Sequence, residues 1–140
     1  MFMEGWVYAV LAVLCWGVEA VLVGAVGEAL DPVTGTGLSC AAAGALYALY
    51  LALSGRLEVS AVFSRGGLLY AAAGVVSFAL GHLLYYTAIA KSGAGLSASL
   101  VATYPLVTVL VAAVVLGEPL TLRILVGALL IVAGGVVLLS

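Results

Sequence analysis

An all-α, polytopic membrane protein with five transmembrane helices is the fold class that this sequence predicts, and three observations carry it. Of 140 residues, 66% are apolar and only 7% charged, against roughly a quarter charged in an ordinary soluble domain. Asn and Gln are absent while Gly numbers 18, which leaves little material for water-facing loops. The apolar residues also fall into five runs, each close to the about 20 helical residues that a hydrocarbon core of about 30 Å requires.

The first run, Trp6 to Val26, has no Lys or Arg before it, the first basic residue being Arg56. A cleaved targeting segment is therefore not expected. The turn GEALDP (27–32) opens the second span, Val33 to Leu53, with Asp31 at the N-cap and Pro32 at the first helical position, where its missing N–H costs nothing. The third span, Leu68 to Ala90, follows the longest polar link, SGRLEVSAVFSRGG (54–67), which carries two of the four basic residues. The tight turns KSGAG (91–95) and LGEP (116–119) precede the fourth span, Ala94 to Leu116, and the fifth, Pro119 to Leu139. No segment reads as a linker, so residues 1–140 form one domain. Arg56, Arg65 and Arg123 fall on the side of the N-terminus and Lys91 on the other. That three-to-one excess weakly favours a cytoplasmic N-terminus in the cytoplasmic membrane.

Composition excludes several functions. A net charge of −2 offers no surface for nucleic acid. Cys15 and Cys40 sit inside apolar runs and read as buried small hydrophobes rather than a disulfide or a metal site. No nucleophile has an obvious base beside it, no nucleotide-binding motif is present, and no cofactor or enzymatic reaction is implied.

One residue breaks the apolar pattern of the first span. In LCWGVEAVLV (14–23), Glu19 stands among eight apolar residues and one glycine. It lies about 13 residues, roughly 20 Å, into the span, where a charge costs about 2.5–3.5 kcal/mol. Lys91 and Arg123 belong to helix ends and can snorkel. The carboxyl must then be protonated, neutralised by a bound cation, or paired with another subunit, and a group so placed can exchange a proton for a cationic ligand. The competing reading is a protonated structural carboxyl. Tyr8, Ala12, Trp16 and Glu19 share one helical stripe, and aromatic faces attract cations; the same stripe would serve equally as ordinary core. Phe78, His82 and Tyr86 recur at i, i+4 and i+8, with Tyr85 beside them. His82, the only histidine, suits proton relay or, alternatively, a satisfied core position. In the fourth span Ser97, Val101, Tyr104 and Thr108 form a stripe, and Pro105 cannot donate to the Val101 carbonyl; a site and a simple packing kink both fit. Glu118 is expected to complement the helix dipole at the start of the last span.

LLYYTAIAKSGAG into span 4, Pro105 near its middle, the turn LGEPLT (116–121), the Gly-rich last helix and the pair Trp16–Gly17 together resemble an EamA-type repeat of the drug/metabolite transporter superfamily. The resemblance covers nearly the whole chain. It implies one five-helix repeat of a ten-helix inverted-repeat transporter, hence a half-size member. Many relatives carry an arginine early in the second span, where this chain reads GLSCAAAG (37–44). By resemblance to the four-helix small multidrug resistance proteins, a single repeat would complete itself with an inverted second copy. Gly127 and Gly134, seven apart on one face of the last helix, suit the contact between the copies, or packing within the subunit. The function implied is a secondary transporter moving a small organic solute, a metabolite, amine or drug-like cation, by alternating access, with coupling to protons through Glu19 and with Trp16, His82, Tyr86 and Tyr104 along the path. Two alternatives stay open: a lipid-carrier flippase subunit working with a partner chain, and a membrane accessory subunit that transports nothing.

Overall fold

A computed structural model describes residues 5–138. Within them it is helical, with no strand. Four stretches are long and apolar enough to cross a membrane: Val7–Val26, Pro32–Leu53, Arg65–Ser92 and Ala94–Val115. The expected fifth span is a shorter apolar helix, Leu122–Val137, of 16 residues. At 1.5 Å per residue this reaches about 24 Å. It begins later than Pro119 because Thr121 is the cap, its hydroxyl accepting the N–H of Ile124 at 3.3 Å; Leu139 lies outside the described residues.

Helix α1 runs Gly5–Val26 and α2 Pro32–Leu53. The expected start of α2 is realised in detail: Asp31 Oδ1 accepts the N–H groups of Val33 (3.0 Å) and Thr34 (3.1 Å), with Pro32 in the first turn. Hydrogen bonds from Thr34, side chain first and backbone second, and from Val33 hold the Asp31 carboxyl below its ordinary value of 3.8. A lowered carboxyl pKa means that this stabilisation is fully present above the unfolded value and is lost as the pH falls through the folded one. Asp31→Ala is therefore expected to lower the unfolding temperature at neutral pH by a few degrees, and the gap to the parent protein should close in acid. Thermal denaturation of both proteins from pH 7 down to pH 2.5 reads it, and a gap independent of pH would assign the effect to something other than the cap.

At its other end α2 closes with Gly55 at φ 66° and with N–H bonds from Gly55 to Ala52 (3.4 Å) and from Arg56 to Leu51 (3.1 Å), the two bonds of a Schellman end. The link that follows holds a short helix not expected from the sequence, α3 (Val59–Val62), before α4 (Arg65–Gly74). Ser64 joins the two: its hydroxyl donates to the Ala61 carbonyl at 2.6 Å and accepts the N–H of Gly67 at 3.0 Å. The reversal is so sharp that a Cβ on Gly67 would fall on the Ala61 carbonyl and 2.6 Å from that of Val62. Since neither backbone atom can yield cheaply, Gly67→Ala should cost about 1–3 kcal/mol, measurable as a lowered unfolding midpoint in detergent. An unchanged midpoint would mean that this turn relaxes freely.

The third span continues from α4 through a π-helical segment, Val75–Gly81, into α5 (His82–Ser92). Gly93, at φ 83°, turns the chain into α6 (Ala94–Val101). The kink expected at Pro105 takes the form of a break: Ala102 and Thr103 separate α6 from α7 (Tyr104–Val115), and Pro105 sits in the first turn of α7. Helix α8 is Leu122–Val137.

The chain forms two units, residues 1–24 with 92–140, and residues 25–91. In the first, α8 packs along α7 and crosses near the break in span 4, where a Cβ on Gly135 would come within 3.0 Å of the Thr103 methyl. In the second, α2 packs against the π segment. Buried hydrophobic positions are few, Ala20, Tyr86, Ile89 and Ala128, while Val114 and Tyr70 are more than four-fifths exposed. That inversion suits a protein whose solvent is lipid, where association relies on close backbone approach rather than on a large apolar core. Cys15, expected to be buried, is exposed on α1 instead; an apolar thiol meets lipid at no penalty. Both cysteines are free.

Candidate functional site

In the first unit, α1 carries Glu19 and Trp16 one turn apart. Glu19 is half-buried and lies on the same side of the helix as Ala12 and Val23, which are half-buried, and Ala20, which is buried; Val7 is half-buried on another side. Glu19 thus lies on the less exposed side of α1, away from Val21 and Leu22. Trp16 is 52% exposed and Tyr104, opening α7, 51%, so about half of each ring is open to lipid, solute or a second copy. Tyr8 lies on the Glu19 stripe and is exposed as well, which argues against that stripe being closed core. Ser97 of α6, 1% exposed, keeps a hydroxyl without a hydrogen-bond partner among the described residues. Four other helical hydroxyls, those of Thr36, Thr87, Ser99 and Thr108, bond back to the carbonyl four residues earlier.

In the second unit, the aromatic triplet foreseen in span 3 is assembled. Phe78 and His82 stack at 5.5 Å between centroids, and His82 meets Tyr86 edge-on at 5.6 Å. Tyr86 is buried and donates its hydroxyl to Ser39 Oγ on α2 at 3.3 Å. His82 Nδ1 lies 2.9 Å from the Ser77 carbonyl. Reading the sequence missed Ser39 and Cys40, the α2 residues that reach this triplet and the backbone beneath it, since nothing local signals a contact 38 or 47 positions away. Among the described residues no group of His, Cys, Asp or Glu is placed to hold a metal ion.

The model of one protein family, EamA-like transporters, matches residues 3–140. The chain belongs to the EamA-like transporter family. With its four long apolar helices, this family member is a multi-pass membrane protein, and its relatives by family are transporters of small solutes rather than enzymes. No curated protein and no solved structure matches the chain. The match runs through every helix described above.

In the last helix the glycines divide by role. Gly135 is buried against Thr103, whereas a Cβ on Gly127 or Gly134 would meet nothing within 4 Å. Within their own unit, among the described residues, these two glycines are open rather than packed.

Proposed function

We propose that this chain is half of a secondary transporter: two copies, each with five spans and inserted in opposite directions in the cytoplasmic membrane, move a small organic solute by alternating access. Proton binding at Glu19 drives the exchange. Trp16 and Tyr104 offer aromatic faces to a cationic or flat solute, and His82 with Tyr86 relays protons. The observation that carries the reading is the half-buried acid of α1 in a chain whose residues 3–140 match a transporter family. An intramembrane acid is expensive unless it has such work. Gly127 and Gly134, open in the single copy, supply the face for the second copy.

Two measurements test it. A thermal-shift screen of organic amines on the purified protein, followed by uptake into proteoliposomes under an imposed pH step, tests the transport itself; uptake indifferent to the pH step would remove proton coupling. A cysteine added at one terminus and labelled from each side of the membrane in turn should react from both sides. Reaction from one side alone would replace the inverted homodimer by a parallel dimer or a pairing with another chain.

A further inference from the structure

The π-helical segment Val75–Gly81 interrupts a span of 28 residues, and its hydrogen bonds are redistributed in a particular way. In an α-helix the N–H of residue 82 would bond the carbonyl of residue 78. Here the N–H of His82 reaches the Ser77 carbonyl, five residues back, as in a π turn. That same oxygen lies 2.9 Å from His82 Nδ1. A carbonyl oxygen can only accept, so Nδ1 carries a hydrogen. The Phe78 carbonyl, released by the change of register, accepts the thiol of Cys40 from α2 at 3.2 Å. Gly81 accommodates this wider turn, since a Cβ there would stand 3.2 Å from the Val76 carbonyl.

We propose that Cys40 and Gly81 are positioning residues for His82: they hold span 3 in its π register, and that register fixes the neutral imidazole as the Nδ1–H tautomer. The tautomer of a histidine is set by the bond its other nitrogen makes, and here the bond exists only in the π register. Relaxing the segment to α would add one residue's worth of winding. Everything after it would turn by about 100° and shift by about 1.5 Å relative to α4, carrying His82 away from the Ser77 carbonyl. Cys40 opposes this by occupying the carbonyl that the α register would need. The use of Nε2 in proton relay rests on the transport reading above, whereas the positioning does not.

Because His82 is the only histidine, one imidazole is seen when the chain is labelled with 15N-histidine. The full protein in lipid bilayers, at alkaline pH where an imidazole is neutral, is expected to show a protonated Nδ1 and an unprotonated Nε2 by solid-state NMR. Gly81→Ala and Cys40→Ala should each transfer signal to the Nε2–H tautomer, while Cys40→Ser, which keeps a donor in place, should retain the parent pattern. An Nε2–H ring in the parent protein, survival of the Nδ1–H ring in either Ala variant, or its loss in Cys40→Ser overturns the assignment. The measurement needs no transport: its failure leaves the transporter reading standing, and a failure of proton-driven uptake leaves the tautomer assignment standing.

Discussion

Glu19→Gln is expected to abolish uptake driven by a pH gradient and to leave insertion and folding intact. The neutral amide copies the shape of the protonated acid, so α1 keeps its packing beside Ala20, which is only 3% exposed. What it should lose, on the proposed mechanism, is the ability to exchange a proton for a cationic group, and with it the coupling. Uptake under an imposed pH step should fall to the level of empty liposomes, while passive exchange of a neutral ligand persists. Glu19→Asp should retain activity with a displaced pH optimum, because it keeps a titratable group and shortens its reach. Parent rates in the Gln variant would make the carboxylate structural and end the mechanism.

The second large effect falls on assembly. Replacing Gly127 and Gly134 together by Leu adds side chains where a Cβ meets nothing within 4 Å in the single copy, and removes two glycines that cost about 1 kcal/mol each in helix interior. The isolated subunit should therefore unfold no earlier than the parent. Between copies, the added bulk should cost about 1–3 kcal/mol at each site, which corresponds to about a tenfold weaker dimer or more. Gly135→Leu is the contrasting variant: with the Thr103 methyl 3.0 Å from the added Cβ, it should weaken the subunit itself. Single-molecule or ultracentrifugal measurement of association in detergent, beside thermal unfolding, separates the two effects. An undiminished dimer in the Gly127, Gly134 double variant would move the contact to another face.

Much of this architecture is legible because membrane helices announce themselves locally. Asp31 and Pro32 mark a helix start by chemistry confined to four residues, and the structure forms it with the expected bonds. Each reversal between long helices likewise contains one glycine in the left-handed region, Gly27, Gly55, Gly93 or Gly117. Thr121 shows the limit: it competes with Pro119 as the start of the last helix, and its hydroxyl prevails. The π segment was out of reach for a different reason. VVSFALG reads as an ordinary apolar stretch, and its register depends on Cys40, 38 positions earlier. At the candidate site, the identities of Glu19, Trp16, His82, Tyr86 and Tyr104 could be chosen by residue type and helical stripe. Their surroundings could not, because burial of Tyr86 and its bond to Ser39 are properties of packing.

The four left-handed glycine turns have a practical consequence for anyone who wishes to engineer the protein. At Gly117 the chain passes from α7 to α8 within a few residues, and since these two helices pack together, an epitope or fluorescent reporter inserted there would pry them apart. The link between α2 and α4 is longer and already carries a short exposed helix, Val59–Val62. Grafted tags belong there, before Ser64 and the crowded Gly67.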